Sequence, residues 1–589
     1  MDTLVQGWKL QLQKELEIEH QESVENQKGI AIEYVSSSTG LNGRCVVQIK
    51  PVNPLIEMPF RNGDIAQFVQ LEKTAVVYKV TEKYLFMAFE EEMDFQHDKI
   101  LKLPNTFIYK RINKLLDIIP SLMSESLVQV CFGARQPLFS NVEVDYFDDL
   151  LNEQQQSAVR RSLESLDVHL IHGPPGTGKT QTLVEIIRQF HRRGKSVLVC
   201  GPSNISVDNI VERLTVCNVP CLRMGHPARL LPSVQDKALE YIVDNCTHGG
   251  EVLQDIKQEI DQLSRNVHSC KTGKEKYEIY KELRQLKKEF NQRERKVVYE
   301  TCQQHSIHCS TLSNSMNRNL NKEYDVVVID ENGQATEPES WLALIKAKKA
   351  IIAGDPLQLP PVVKSKGNLE ISLMQRLLKI PNICTMLTVQ YRMNKYINEF
   401  PSKFMYHNKL LSHSSCALTR ITDYSFVEKN DELQYPVVFY DNLQTSYELQ
   451  DENGSKSKYN EGELSNIMDL VEELIGYQIP QTFIGIIAAY NAQVSRLKQL
   501  ISTIYPDIEI GTVDGYQGRE KEVIIISTVK CNDLHDVGFL EEKRRMNVAV
   551  SRAKHLLIIF GDSETLERNE FLHNMVEWSS EHDIRYYNE

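Results

Sequence analysis

The sequence predicts an α/β protein with two tandem domains. A small β-barrel precedes the first domain, and a helical hairpin is inserted in that first domain. Three observations lead to this fold class. Short, fully apolar runs alternate with helical stretches from about residue 150, five β-rich runs precede them, and residues 251–300 repeat apolar side chains at helical spacing. Fully apolar strands separated by helices indicate parallel sheets covered on both faces.

The chain is expected to begin with a helix and a barrel. Val5, Trp8, Leu12 and Leu16 fall at helical spacing, so residues 1–29 are assigned to an N-terminal stalk helix. Residues 30–120 are assigned to the barrel because short β-branched or aromatic runs alternate there with turn residues. These runs are 30–35, 43–49, 64–71, 75–80 and 84–89.

Two sets of apolar runs then predict the tandem α/β domains, assigned to residues 121–378 and 379–589. The first set consists of 168–173, 196–202, 325–330 and 350–355. The second set consists of 483–490, 510–516, 523–529 and 555–562.

The predicted hairpin interrupts the first domain at residues 251–300. Apolar side chains recur there every three or four residues on both sides of a turn at 269–274, which indicates two antiparallel helices. The segment has twelve Lys/Arg against ten Asp/Glu, a net charge of +2. Two interpretations stay open, a solvated charged face and an arm that faces nucleic acid.

Composition excludes several classes of protein. Hydrophobic residues make up 41% and charged residues 25% of the 589, so a disordered, collagen-like or solenoid chain is not expected. No run reaches the roughly 18 apolar residues of a membrane span and no signal peptide is evident, so we expect a soluble intracellular protein, cytoplasmic or nuclear, without a membrane partner. The twelve cysteines form no C-x-x-C pair, so neither zinc nor a disulfide framework is expected. The net charge of −13 disfavours a generally basic surface but does not describe a cleft.

A complete phosphate-loop motif, G-x-x-x-x-G-K-[ST], follows the first apolar strand and precedes a helical pattern. Glycines let backbone N–H groups converge on phosphates at a helix N-terminus. Lys179 is suited to the β- and γ-phosphates, and Thr180 to Mg²⁺. The motif predicts a nucleoside-triphosphate site formed by Gly173, Pro174, Pro175, Gly176, Thr177, Gly178, Lys179 and Thr180.

Two further segments of the first domain carry polar residues where strands end. Asp330 and Glu331 close the run 325–330, at the edge where parallel sheets bind ligands. Asp330 is suited to Mg²⁺, and Glu331 to activation of the attacking water. Gln358 follows the next strand, in GDPLQLPPVV. Two interpretations stay open for it, a Pro-rich turn and a residue that reports the γ-phosphate to a neighbouring domain.

Two arginines of the second domain are the remaining catalytic candidates. Arg392 lies in the segment QYRMN and Arg552 in NVAVSRAK. Phosphoryl transfer spreads negative charge over the γ-phosphate, and a guanidinium delivered from another domain stabilises it. If both reach across, hydrolysis depends on closure of the two domains. The alternative for either arginine, from its local sequence alone, is a surface salt bridge.

Eight segments resemble the motifs of superfamily 1 helicases, in the same order. They are LNEQQQSAV, GPPGTGKT, GPSNISVDN, DENGQATEPE, GDPLQLPPVV, QYRMN, TVDGYQGREKEV and RRMNVAVSRAK. The resemblance is to the 5′-to-3′ subclass, in the branch of the nonsense-mediated-decay and immunoglobulin-mu-binding helicases. LRMGHPARLL (222–231) and the hairpin are most similar to the mu-binding member. The resemblance implies that both α/β domains are RecA-like P-loop domains.

The resemblance also implies roles that spacing does not supply, with ATP and Mg²⁺ as cofactors. Gln155 would read adenine, Tyr391 would stack on the base and Glu520 would lie near the ribose. A second group, which would follow a nucleic-acid backbone without reading sequence, consists of Ser203, Asn204 and Thr512. The chain departs from the family at Asn332, where a small residue is usual, and at 308–315, where a strand-binding motif is faint.

The function expected from this resemblance is that of a monomeric ATP-dependent helicase or translocase that moves 5′ to 3′ on single-stranded DNA or RNA. An alternative shares every motif: an ATP-gated clamp or remodeller that holds nucleic acid without separating duplexes. The complete set of catalytic residues disfavours a non-catalytic scaffold. The motifs of the second domain disfavour an ordinary metabolic NTPase.

Overall fold

The computed structural model describes most of the chain, and the structural statements below refer to these residues. They are 1–25, 29–39, 45–53, 60, 64–81, 84–89, 93, 95–103, 106–225, 229–245, 249–269, 273–442, 446–451 and 457–586. Four predicted features lie partly outside them: residues 26–28 of the stalk helix, 43–44 of the second barrel run, 226–228 of LRMGHPARLL and 270–272 of the hairpin turn. None of the described helices has the length and apolar character needed to cross a bilayer.

A closed six-stranded barrel follows the first helix. Its strands are β1 (Ile30–Thr39), β2 (Cys45–Pro51), β3 (Ile65–Phe68), β4 (Lys73–Val80), β5 (Leu85–Phe89) and β6 (His97–Leu103). Neighbours pair antiparallel in the order β1-β2-β5-β4-β3-β6, and β1 pairs with β6 to close the barrel. Side chains such as Val47, Phe68 and Met87 fill the interior. The sequence predicted five strands and missed β6, whose apolar residues are mixed with charged ones.

Two helices connect the barrel to the first sheet. They are α1 (Asp2–Glu25) and α2 (Thr106–Ile118). Trp8 and Leu12 of α1 and Leu116 of α2 are buried in the core of the first sheet. Residues 106–118 therefore do not belong to the barrel, to which the predicted domain 30–120 assigned them, because their apolar side chains recur at helical spacing and pack away from it.

The first lobe is a seven-stranded parallel sheet in the order β13-β7-β12-β11-β8-β10-β9. Its strands are β7 (Val168–His172), β8 (Val197–Gly201), β9 (Leu222–Met224), β10 (Ile307–Thr311), β11 (Tyr324–Ile329), β12 (Ala347–Gly354) and β13 (Cys384–Met386). Its helices are α3 (Ser126–Cys131), α4 (Glu153–Glu164), α5 (Lys179–Arg192), α6 (Asn204–Val216), α7 (Leu239–Asn245), α8 (Gly250–Ser269), α9 (Gly273–Gln304), α10 (Glu337–Leu344) and α11 (Leu373–Leu377).

The limits of the first lobe differ from the prediction at two places. β13 lies beyond the boundary predicted after residue 378, because its pairing with β7 makes it part of the first sheet. The hairpin helices α8 and α9 span Gly250–Ser269 and Gly273–Gln304, slightly longer than the predicted 251–300. Buried Leu253, Ile260 and Leu283 join the hairpin to the core of the lobe.

The second lobe is a six-stranded parallel sheet in the order β20-β19-β21-β22-β16-β23. The strands of this part of the chain are β14 (Val389–Gln390), β15 (Leu411–Ser412), β16 (Val437–Asp441), β17 (Leu449–Gln450), β18 (Lys458–Tyr459), β19 (Ile484–Ala488), β20 (Glu509–Thr512), β21 (Lys521–Ser527), β22 (Ala553–Gly561) and β23 (Ile584–Tyr586). The helices are α12 (Lys395–Phe404), α13 (Glu461–Gly476), α14 (Asn491–Ile501), α15 (Lys543–Val550), α16 (Ser563–Leu566) and α17 (Glu570–Ser580). The predicted α/β class, with two tandem sheets and a barrel, is confirmed.

Candidate functional site

The phosphate loop connects β7 to α5. Gly176 and Gly178 have φ angles of +73° and +75°, a backbone conformation that glycine adopts without steric cost. A Cβ atom on Gly176 would lie 2.7 Å from the Cβ of Arg392, and one on Gly178 would lie 2.4 Å from Nε2 of Gln155. The loop therefore needs glycine at both positions. It ends at Lys179, where the first N–H groups of α5 have no helical acceptors and favour an anion.

Lys179 forms the charged centre of this site with two carboxylates. Its Nζ lies 3.2 Å from Oδ1 of Asp330 and also pairs with Glu331. Burial acts to lower the pKa of Lys179, but the two carboxylates outweigh it and the pKa lies above its ordinary value. Burial raises the pKa of Asp330, against the effect of Lys179. The ammonium group therefore stays charged and is suited to a phosphate.

Asp330 and Thr180 fit a magnesium ion that is also coordinated by phosphate oxygens. Asp330 offers carboxylate oxygens, and Thr180 lies half-buried in the first turn of α5. Mg²⁺ prefers oxygen ligands, usually one or two carboxylates together with phosphates and waters. In the described part of the chain, no cluster of three or more His, Cys, Asp or Glu side chains forms a separate metal site.

Glu331 sits on a constrained stretch of backbone. Its φ angle is +52°, its N–H donates to Oδ1 of Asp330 at 2.8 Å, and its Oε2 accepts from Nε2 of Gln334 at 3.0 Å. Such conformations cost free energy and concentrate at functional sites. The following Asn332 is buried, donating to Oγ of Ser340 at 2.8 Å and accepting from the N–H of Met374 at 2.9 Å. Its larger side chain is thus accommodated by the core of the lobe.

Gln155 and Tyr391 meet at the phosphate loop. Gln155 is buried, and its Nε2 donates to the carbonyl of Thr177 at 3.1 Å while its Oε1 accepts from the N–H of Asn152 at 2.9 Å. Asn152 in turn donates to the hydroxyl of Tyr391 at 2.8 Å. The N–H of Tyr391 donates to the carbonyl of Gly176 at 2.9 Å. The two residues predicted to contact adenine therefore lie on one side of the loop.

The two predicted arginines reach the boundary between the lobes. Arg392 pairs through Nε with Glu520 at 2.5 Å and donates to the carbonyl of Ser551 at 3.1 Å. Arg552 is buried, and its Nη2 donates to Oε1 of Gln358 in the first lobe at 3.2 Å. Burial, followed by repulsion from Arg392, lowers the pKa of Arg552 to about 9. The guanidinium group of Arg552 therefore stays cationic at neutral pH.

Glu520 compensates this concentration of positive charge. Besides Arg392 it approaches Nζ of Lys554 at 3.5 Å. Burial opposes ionisation, but these two cations hold the pKa of Glu520 below its ordinary value. Glu520 was predicted near the ribose, and its observed partners are the two cations of the second lobe.

Asp355 is a polar residue that the sequence analysis did not single out. It follows β12, is buried, and accepts from Nε2 of Gln358 at 2.9 Å and from the hydroxyl of Tyr406 at 2.6 Å. Nε2 of His172 lies 3.0 Å from its other oxygen. Leu359 of the same segment packs into the core of the second lobe. The segment from 355 to 359 therefore joins the two lobes. Tyr406 gave no sequence signal of this role, because a single buried aromatic residue is typical of any core.

The predicted nucleic-acid residues lie on two loops that approach each other. Ser203 caps α6 by accepting from the N–H of Ser206 at 3.2 Å, and Oδ1 of Asn204 accepts from Nη2 of Arg223 at 2.8 Å. Thr512 ends β20 and accepts from the N–H of Gly515 at 3.3 Å. The bonds of Ser203 and Thr512 are ordinary cap and turn bonds, whereas Asn204 accepts from a buried arginine of β9. The loops themselves meet across the lobes, since a Cβ on Gly518 would lie 3.9 Å from Ile205.

Two protein-family models, both described as AAA domain, match residues 150–366 and 369–564. The DNA polymerase alpha-associated DNA helicase A of Saccharomyces cerevisiae is 38% identical over 573 residues, covering 88% of this chain and 83% of that protein. The chain belongs to the superfamily 1 helicases.

A second relative of this superfamily 1 chain extends well beyond the matched residues. DNA-binding protein SMUBP-2 of Mesocricetus auratus is 34% identical over 618 residues, which cover 97% of this chain but 62% of that protein. The chain thus spans about three fifths of that relative. Among solved structures, the arterivirus nonstructural protein 10 helicase is a distant match. It aligns with 91% of this chain and 77% of its own, at 12% identity and a TM-score of 0.38.

In this superfamily 1 chain, the structure brings most predicted site residues together. The phosphate loop, Asp330 and Glu331 surround Lys179, while Arg392 and Arg552 approach from the second lobe. Ser203, Asn204 and Thr512 lie on neighbouring loops outside this cluster. Beyond the prediction, the structure adds His172, Asp355, Tyr406 and Asn547.

Proposed function

We propose that the protein is an ATP-dependent helicase or translocase that moves 5′ to 3′ on single-stranded DNA or RNA. The observation that carries this proposal is the composition of the site: Lys179 and its carboxylates come from the first lobe, and Arg392 and Arg552 from the second. A triphosphate bound there would contact both lobes, so its hydrolysis would change how they are held together.

Each residue of the site has a place in the proposed hydrolysis. Lys179 and the N–H groups of residues 176–180 bind the phosphates. Thr180 and Asp330 would hold Mg²⁺, which would supply neutralisation of the phosphate charge. Glu331 accepts the proton of the attacking water. Arg392 and Arg552 stabilise charge on the transferred group, and Gln358 reports its presence to the second lobe. Gln155, Tyr391 and Glu520 hold the nucleoside.

The loops that carry Ser203, Asn204 and Thr512 form the proposed nucleic-acid interface. Short polar side chains and main-chain amides suit phosphate contacts, which carry no sequence information. The names of the relatives, a DNA-binding protein and a DNA helicase, agree with this proposal. Binding should weaken as salt rises, because each phosphate contact releases counterions. We propose that the motor works as a monomer.

A strand-displacement assay tests the proposal. Labelled duplexes with a 5′ tail, a 3′ tail or blunt ends, each made as DNA and as RNA, are incubated with protein, ATP and Mg²⁺. We expect displacement of the 5′-tailed duplex only, and none when a non-hydrolysable analogue replaces ATP. Displacement of the 3′-tailed duplex would contradict the polarity. ATP turnover stimulated by single strands without any displacement would instead identify a clamp or remodeller.

A further inference from the structure

A buried polar bridge crosses from the first lobe to the second beside the ATP site. We define the Asp355 bridge as His172, Asp355, Tyr406 and Asn547. Tyr406 donates its hydroxyl to Oδ2 of Asp355 at 2.6 Å, and Asn547 donates Nδ2 to the tyrosine oxygen at 2.9 Å. Asp355, Tyr406 and Asn547 are each no more than 2% exposed. A bridge with so little solvent exposure is costly unless its members keep their partners.

On the first-lobe side, the bridge ends at the phosphate loop. His172 is the last residue of β7 and directly precedes Gly173. It pairs in the sheet with Gly354, so the side chains of His172 and Asp355 leave neighbouring strand ends and meet at 3.0 Å. The N–H of Gly173 also donates to the carbonyl of Gly354 at 3.0 Å. Short contacts therefore connect the loop to Asp355.

On the second-lobe side, the bridge ends at the helix that precedes Arg552. Asn547 lies on α15, and its Nδ2 also donates to the carbonyl of Leu357 at 2.8 Å. Tyr406 follows α12 and packs in the second-lobe core. Both residues thus fix the first-lobe segment 355–359 against the lobe that supplies the arginines.

Asp355 also sets the orientation of Gln358. Nε2 of Gln358 donates to Oδ2 of Asp355 at 2.9 Å, which leaves Oε1 to accept from Arg552 at 3.2 Å. An amide offers a donor on one side and an acceptor on the other, so the carboxylate acceptor determines which side faces the guanidinium. Burial would raise the pKa of Asp355, but its donors, His172 first, hold it below the ordinary value, so it is an anion at neutral pH.

We propose that His172 and Tyr406 are positioning residues for ATP hydrolysis. By holding Asp355 from opposite lobes, they keep Gln358 turned toward Arg552 and join the phosphate loop to the second lobe. This inference rests on the proposed function. It predicts that loss of either arm slows turnover without weakening ATP binding, since neither residue contacts Lys179 or its carboxylates in the hydrogen bonds and ion pairs of the site.

Tyr406→Phe and Tyr477→Phe provide a matched pair. Each removes a second-lobe hydroxyl that donates to a carboxylate at 2.6 Å, but the partner of Tyr477 is Glu473 of the same lobe. We expect Tyr406→Phe to lower the kcat of nucleic-acid-stimulated ATPase about tenfold, with the KM for ATP within about twofold of wild type. Tyr477→Phe should leave both unchanged. Wild-type kcat in Tyr406→Phe, or a raised KM with normal kcat, would overturn the proposal.

Variants of His172 provide an independent test, which remains valid if Tyr406→Phe folds poorly. His172→Gln places an amide donor near the position of Nε2 and should retain most of the stimulated kcat, whereas His172→Leu should lose about as much as Tyr406→Phe. Equal activity of the two histidine variants would overturn the proposal. Absence of stimulated ATPase in the wild-type protein would instead refute the proposed function, so the two failures are distinguishable.

Discussion

The two lobes use the carboxyl edge of a parallel sheet in opposite ways. In the first lobe, β7 leads into a glycine loop and the cation Lys179, next to Asp330 and Glu331. In the second lobe, β21 leads to a buried carboxyl group: Glu463 accepts from the N–H of Val529 at 3.0 Å and from the hydroxyl of Ser527. Burial raises the pKa of Glu463 to about 8, in spite of these donors.

The two sheets are similar, but different groups lie at their carboxyl edges. Gly176 and Gly178 take positive φ angles to make room for backbone donors, and Val529 takes a φ of +70°, rare for a β-branched residue, with its N–H bonded to Glu463. The first edge can accept an anion from outside, whereas the second already contains its own acceptor. In our proposal, the second lobe contributes to the ATP site from a different surface, through Arg392 and Arg552.

Removal of the first-lobe cation should have the largest effect. Lys179→Ala should lower stimulated ATPase by more than about a thousandfold and abolish ATP binding, because phosphate binding and charge stabilisation are lost together. Lys348→Ala is the control, since that side chain is 73% exposed and pairs with Glu323 on the surface. Turnover and analogue binding are measured by phosphate release and fluorescence titration. Substantial turnover in Lys179→Ala would refute the site.

Removal of a second-lobe arginine should have the next largest effect. Arg392→Ala or Arg552→Ala should lower kcat about a hundred- to a thousandfold, since each takes one cation from the developing charge. ATP binding should be less affected than in Lys179→Ala. Arg544→Ala on helix α15, which precedes Arg552, is the control, because its guanidinium pairs with Glu542. If Lys179→Ala lowered kcat but neither arginine variant did, the proposed contribution of the second lobe to hydrolysis would be wrong.

Glu331→Gln separates binding from chemistry within the first lobe. An amide cannot take a proton from water, so kcat should fall about a hundredfold while ATP binding persists. The measurement is analogue affinity beside single-turnover hydrolysis. A loss of ATP affinity as severe as that of Lys179→Ala would show that Glu331 serves binding rather than proton transfer.

Glu463→Gln tests the second edge and should have the smallest effect on activity. The pKa of Glu463 is raised from 4.5 to about 8 in the folded protein, so its stabilising contribution is complete below pH 4.5 and is lost as the pH rises through 8. Wild-type melting temperature should therefore fall by a few degrees more than that of Glu463→Gln between pH 5 and pH 8. The two proteins differ at this one residue, so their melting temperatures can be compared directly at each pH. Parallel curves of melting temperature against pH would contradict the raised pKa of Glu463. Stimulated ATPase should stay within about twofold.

Much of this architecture could be predicted because its signals are local. The runs at 168–173, 325–330 and 350–355 are mostly apolar, as is typical of strands buried on both faces, and they correspond to β7, β11 and β12. The charged pattern of β6 and the short length of β13 gave no comparable signal, since their assignment depends on closure of the barrel and on pairing with β7.

The Asp355 bridge could not be predicted because its chemistry is tertiary. Asp355 resembles a turn residue in the sequence, Tyr406 resembles a core aromatic, and they are 51 positions apart. By contrast, Lys179 was identifiable because glycines and a strand lie beside it in the chain. Residues such as Ser203 and Thr512 were named by resemblance, and their observed bonds are those of caps and turns.

We propose that ATP is bound by the first lobe and that arginines of the second lobe stabilise its charge. A crystal structure with Mg²⁺ and a non-hydrolysable ATP analogue tests it directly. We expect the guanidinium groups of Arg392 and Arg552 within about 3 Å of the terminal phosphate oxygens, with Lys179 on the same phosphate. Guanidinium groups directed into solvent, away from a nucleotide held by the first lobe alone, would contradict the account.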